Sequence, residues 1–227
     1  MFKDKSLVIF DFDGTLVNSM DYWARLDKML LARLTKREYD VDFQSLWESK
    51  MKDFSHSENP MVDYCGFLKE EYSLELAPLE ILKMRDEIAR EFYFKDIREK
   101  KGATQLVKRL KGEGKTLVIA TTTGRENINE AKKNENLKEM MECFSEIFAY
   151  EDVVKTKPDS EVHFKIMEKF GKVPKECIII EDSLSGVLAG NDAKIEVVAI
   201  KDNQSVKNTE EIKKRSIMYI EDFEELL

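Results

Sequence analysis

Two carboxylates two residues apart, placed where an apolar run ends, form a pattern that can do chemistry. This sequence has one at Asp11-Phe12-Asp13-Gly14-Thr15, directly after Leu7-Val8-Ile9-Phe10. In extended chain such residues project to the same side, so Asp11 and Asp13 can face one cavity. Gly14 lets the backbone turn sharply behind them. Carboxylates held this close repel, which favours a bound cation or a raised pKa for one of them. A second acidic pair, Glu181-Asp182-Ser183, follows Cys177-Ile178-Ile179-Ile180. Adjacent acids at the end of a buried strand suit either a hard divalent cation such as Mg²⁺ or the N-cap of the next helix. The bland reading of the first pair is a turn after a strand, for which Asp-Gly is common.

Groups of the opposite kind stand at two further places. Thr121, followed by Thr122, Thr123 and Gly124, comes straight after Thr116-Leu117-Val118-Ile119-Ala120. A hydroxyl and free backbone N–H groups there can bind a phosphate oxygen, or a threonine can simply cap the helix that follows. Lys157-Pro158 precedes a helix starting near Ser160. Its ammonium is a compact charge suited to phosphate, against the usual alternative of a solvated surface lysine.

The elements that must position these groups can be read from periodicity. Buried-strand runs end at residues 10, 120 and 180, with further runs at 195–200 and, more weakly, 147–150. Helical patterns cover roughly 103–112, 125–141, 160–170 and 184–192. Strand and helix alternating in this way imply an α/β fold with a central parallel sheet. Ligands of open α/β sheets bind at the carboxyl ends of the strands, where all four stations fall. Residues of about 19–95 differ, carrying amphipathic stretches at 22–34, 61–72 and 79–94 and no strong strand. The reading is a catalytic core of 1–17 and 98–227 interrupted by an all-helical insertion of 18–97.

With the stations in that order, the sequence resembles the haloacid dehalogenase superfamily. Asp11-Phe12-Asp13-Gly14-Thr15-Leu16 is similar to its first motif, Thr121 to its second, Lys157-Pro158 to its third and Glu181-Asp182-Ser183 to its fourth. Gly186 and Ala189 fall where the fourth-motif helix carries small residues. The resemblance implies a Rossmann-like core with a helical cap, and a Mg²⁺ ion held by Asp11, the backbone carbonyl of Asp13, Asp182 and Glu181. It further implies that Asp11 takes a phosphoryl group from a small phosphorylated metabolite while Thr121, Thr122, Lys157 and Gly14 bind phosphate. Asp13 would then serve as general acid and base, a residue that carbon–halogen-cleaving members lack. Two features depart from the common pattern: Asn18 in Val17-Asn18-Ser19, where an aspartate is usual, and His163, where an aromatic residue usually follows the third motif.

A phosphatase is the leading reading. A sugar-phosphate mutase is the first alternative, but such an enzyme keeps a gating histidine in the helix after the first motif, where this chain has Trp23. A silent phosphometabolite-binding protein is the second, disfavoured because all four stations are intact.

The totals agree with a soluble enzyme. The formal charge is −8, from 37 basic and 45 acidic residues, spread along the chain. That argues against nucleic acid or an anionic membrane surface as partner. No apolar run approaches the ~20 residues of a membrane span. Cys65, Cys143 and Cys177 are widely spaced and read as reduced thiols of a cytoplasmic protein. A monomer is expected, since the site needs no second chain. Gly114-Lys115-Thr116 is rejected as a nucleotide loop because position 109 is Arg109 and the segment precedes a strand. His56, in a polar stretch of the insertion, is a weak candidate for substrate contact, and Arg125 is read as decorating a helix start.

Overall fold

Leu7–Phe10 forms β1, and all four of its residues are buried. A short apolar run covered on both faces belongs in the middle of a parallel sheet, and β1 lies between β2 (Thr116–Ala120) and β4 (Cys177–Glu181). The computed structural model describes residues 1–54, 57 and 59–227. Among these the sheet has six strands in the order β3-β2-β1-β4-β5-β6, every adjacent pair parallel. Here β3 is Glu146–Phe148, β5 Glu196–Ile200 and β6 Met218–Ile220. The register aligns Leu7 with both Thr116 and Cys177, so the chain leaves β1, β2 and β4 at nearly one level.

The chain folds as two compact units, Met1–Met20 with Tyr93–Leu227, and Asp21–Phe92. In the first unit the flanking helices are α5 (Ala103–Gly112), α6 (Arg125–Lys133), α7 (Lys138–Met141), α8 (Glu161–Phe170), α9 (Leu184–Asp192) and α10 (Thr209–Arg215). One face of the sheet, with Leu7, Ile9, Val118, Ile179 and Val197, packs on Val162 and Ile166 of α8 and Val187 of α9. From the alternate position, Phe10 meets Phe144 edge-on with ring centroids 5.6 Å apart. The two chain crossings lie side by side: Val17 bridges Glu99, and Lys100 N donates to Leu16 O at 2.8 Å.

The second unit holds α2 (Phe43–Asp53), α3 (Pro60–Glu71), α4 (Pro78–Glu91) and nearly all of α1 (Met20–Thr35). Its interior contains an ion pair. Arg85 Nε donates to Asp27 Oδ1 at 2.8 Å and Tyr64 Oη donates to Asp27 Oδ2 at 2.7 Å, all three residues being buried. The Arg85 guanidinium lies 5.7 Å from the Trp23 ring centroid. Burying these charges is tolerable only because each finds partners.

The structure differs from the sequence reading in several elements. The single helix expected over 125–141 is two, because Asn134 leaves helical geometry and spends its side-chain amide on the carbonyls of Tyr93 and Ile97. The weak strand expected at 147–150 is Glu146–Phe148, and the chain turns into a 3₁₀ turn at Tyr150. Helices α2 and α10 and strand β6 were not anticipated. Among the described residues, no helix is long and apolar enough to cross a membrane.

Candidate active site

Asp11 is the first residue past β1, and its N–H donates to Ile180 O at 3.0 Å, continuing the pairing with β4. Its side chain is therefore held beside Glu181, the last residue of β4, and Asp182. All three acids are buried, and ligand atoms from them lie within 4.8 Å of one another. Lys157 is the counter-charge. Its Nζ donates to Asp11 Oδ1 at 2.7 Å, Glu181 Oε2 at 2.7 Å and Ala120 O at 2.9 Å, which uses its three protons.

One ammonium does not balance three buried carboxylates. Burial pushes the Asp11 carboxyl up to about 8, the charge of Glu181 pushes in the same direction, and Lys157 opposes both. Asp182 is raised by burial, then by Glu181 and Asp11. Burial by itself would lower the Lys157 pKa, but Asp11 and Glu181 reverse this and hold the ammonium above the usual lysine range. The cluster is short of positive charge and offers hard oxygen donors, so a divalent cation fits it on both counts.

The backbone makes room for these acids by omitting two side chains. Gly14 has φ +81°, and a Cβ there would lie 2.5 Å from Asp182 Oδ2. A Cβ on Gly186, in the first turn of α9, would lie 1.9 Å from Glu181 Oε2. Glu181 Oε1 accepts from Asp182 N, Ser183 N and Ser183 Oγ at 3.1, 3.0 and 2.8 Å. Ser183 in turn caps α9, its Oγ accepting from Gly186 N. The cap and metal readings of this station thus fall on neighbouring residues, Ser183 as cap and Asp182 in the acidic cluster. Thr15, to which the sequence reading gave no role, donates from Oγ1 to Asp182 Oδ1 at 2.7 Å.

Asp13 stands apart from that cluster. Its Oδ1 accepts from Tyr93 Oη at 2.5 Å and its Oδ2 from Thr123 Oγ1. Neither donor was singled out in the sequence, although Thr123 is only two residues past Thr121. Thr121 is buried after β2, its Oγ1 accepting from Thr123 N at 3.0 Å, whereas Thr122 is exposed. Gly124, not a threonine, is the N-cap of α6.

The remaining candidates fall elsewhere. Arg125 is tied to the end of β3, donating to Ile147 O at 3.0 Å and pairing with Asp152. Asn18 reaches Glu99 O at 3.3 Å. His163 is fully buried in α8, and neither ring nitrogen has a hydrogen-bond partner among the described residues. His56 lies outside the described residues.

This arrangement has relatives. The chain is 29% identical over 205 residues to a bifunctional riboflavin kinase/FMN phosphatase of Arabidopsis thaliana, covering 87% of this chain but only 49% of that protein. It thus spans about half the length of the plant relative. It is 26% identical over 206 residues to a phosphoglycolate phosphatase of Psychrobacter arcticus, covering 87% of this chain and 84% of that one. In fold it is similar to the crystal structure of CbbY from Rhodobacter sphaeroides in complex with phosphate. The TM-score is 0.75 at 20% identity, over 98% of this chain and 96% of that one. Residues 8–200 match the family described as haloacid dehalogenase-like hydrolase, and to that family the chain belongs.

Proposed function

We propose that the protein is a Mg²⁺-dependent phosphatase of a small phosphorylated metabolite, with Asp11 as nucleophile. The observation that carries this reading is the placement of Asp11 at the end of β1. It is buried among Glu181 and Asp182 and bonded to the Lys157 ammonium. The named activities of the Arabidopsis and Psychrobacter relatives support the reaction class. Asp11, Glu181 and Asp182 would hold the ion together with the backbone carbonyl of Asp13. When bound, Mg²⁺ neutralises charge on the phosphate and lets an anionic nucleophile approach.

The chain's own residues supply the rest. One Asp11 oxygen attacks phosphorus in line as the ester oxygen departs, giving an acyl phosphate on Asp11 and an alkoxide. Asp13 gives its proton to that oxygen and then, as a carboxylate, takes a proton from the water that attacks the acyl phosphate. Inorganic phosphate leaves and Asp11 is restored. Thr121 at the end of β2 would hold an oxygen of the transferring group, with backbone N–H groups near Gly14 and Thr122. Lys157 balances the charge of that group and turns a proton to it only by giving up one of its bonds to Asp11, Glu181 or Ala120 O. Asp13 favours phosphoryl transfer over carbon–halogen cleavage because only the former needs a proton returned to an ester oxygen.

The test is phosphate release from a panel of phosphorylated sugars, glycolate, polyols and nucleotides, with Mg²⁺. At least one should be hydrolysed, and Asp11→Asn should lower kcat/KM by about 10³-fold or more at unchanged secondary structure. Wild-type-like turnover by that variant removes Asp11 from the mechanism.

A further inference from the structure

Asp13 has to be aimed as well as present. A terminal carboxylate torsion is broad and has no sharp rotamer well, yet a proton donor must lie within about 3 Å of the atom it serves. In this structure the torsion is fixed from both sides. Tyr93 Oη donates to one oxygen at 2.5 Å and Thr123 Oγ1 to the other. Both donors are buried.

Tyr93 is itself held in place. Its ring stacks on Phe12, with centroids 6.2 Å apart and planes 18° apart. Its carbonyl accepts from Asn134 Nδ2 at 3.0 Å, and the same amide holds Ile97 O at 3.0 Å. It sits in a turn of π-helix, Phe92–Asp96, where the chain returns from the helical unit. Such turns are rare and recur at functional sites. The side chain of Asn134 is spent on this brace at the cost of breaking the helix between α6 and α7.

We infer that Tyr93 and Thr123 are positioning residues for Asp13, orienting its carboxyl group toward the ester oxygen of the substrate. This rests on the reading of Asp13 as proton donor given above. Each Asp13 oxygen keeps a second lone pair, so the group can carry a proton while both hydroxyls hold it. The two hydroxyls reach Asp13 from places 80 and 110 residues away in sequence, Tyr93 from the π-helical turn and Thr123 from the loop after β2. Neither hydroxyl needs to touch substrate.

The test uses leaving-group dependence, which a merely structural role would not move. Phenyl phosphate and p-nitrophenyl phosphate are similar in size, but the first releases a basic phenolate that needs a proton and the second a stabilised one that does not. kcat/KM for each reports transfer to Asp11. Tyr93→Phe, which keeps the ring on Phe12, should lower kcat/KM about 10-fold or more for phenyl phosphate and less than about 3-fold for p-nitrophenyl phosphate. Thr123→Val should do the same, and Thr123→Ser, which keeps the hydroxyl, should restore the phenyl phosphate rate. Asp13→Asn is the reference and should discriminate most. If Asp13→Asn discriminates and neither Tyr93→Phe nor Thr123→Val does, the positioning inference is overturned alone. If Asp13→Asn treats both esters alike, the reading of Asp13 as proton donor fails and the inference goes with it.

Discussion

Gly186→Ala adds one methyl group, and the structure makes its consequence severe. The new Cβ would lie 1.9 Å from Glu181 Oε2, 2.0 Å from Cδ and 2.6 Å from Cγ. No small adjustment clears three atoms of one side chain, so the Glu181 carboxylate must leave its place. It then loses Lys157 Nζ at 2.7 Å, Ser183 Oγ at 2.8 Å and the N–H groups of Asp182 and Ser183. Breaking a buried charge pair costs about 3–5 kcal/mol. For a chain of this length that corresponds to a fall in melting temperature of about 6–20 °C. Gly112→Ala is the matched control, since no atom of the described residues lies within 4 Å of a Cβ there and the position closes α5. It should leave stability unchanged or raise it by up to about 1 kcal/mol. Thermal unfolding followed by circular dichroism, with phosphate release measured alongside, reads both variants. A Gly186→Ala protein within about 1 kcal/mol of wild type and fully active would refute the claim that Glu181 is locked by its surroundings.

Burial, and then the charge of Lys157, hold His163 down at about 3, against an ordinary value of 6.5. The folded value lies below the unfolded one, so between those pH values the unfolded chain binds a proton that the folded chain refuses. His163 therefore subtracts stability as pH falls, by about 2 kcal/mol at pH 5 relative to pH 7.5. His163→Phe should remove about that much of the pH dependence in denaturant titrations at the two pH values, and an unchanged dependence would contradict it. Activity should vanish on exhaustive chelation and return with Mg²⁺. Ca²⁺ should inhibit, because it takes more oxygen ligands at longer distances and would engage both oxygens of Asp11. Full activity after chelation, measured as phosphate release, would remove the metal from the account.

Much of the architecture could be read from short-range pattern. Leu7–Phe10, Leu117–Ala120 and Cys177–Ile180 are short, apolar without alternation and rich in β-branched residues, which suits strands covered on both faces, and these are β1, β2 and β4. Because parallel strands in register end at one level, Asp11, Glu181 and Asp182 could be grouped before any distance was known, whereas Lys157, in the loop before α8, was joined to them by the resemblance of its motif. What stayed hidden depends on contacts far apart in sequence. Tyr93 and Asp13 are 80 residues apart, and nothing around Tyr93 marks it off from the other aromatic residues of its helix end. Asn134 leaves the helix through a local turn, its Oδ1 accepting from Asn136 N, and through its distant bonds to the carbonyls of Tyr93 and Ile97, and the second set could not be read from the sequence. Strand β6 has three residues, Met218–Ile220, too short for alternation to register, and owes its existence to the edge of β5. His163 shows the limit in the other direction. Its place, where an aromatic residue usually follows the third motif, was legible, but only the packing of α8 reveals two buried ring nitrogens without partners among the described residues.

The central claim is that a phosphoryl group passes through Asp11. The most direct measurement is rapid acid quench of the enzyme with Mg²⁺ and a ³²P-labelled substrate found by the screen, followed by proteolysis and mass spectrometry of the labelled peptide. The label should be stable to acid and released by hydroxylamine, as an acyl phosphate is, and should sit on the peptide containing Asp11 and be absent from Asp11→Asn. A label on another residue, or full turnover by Asp11→Asn, would contradict it.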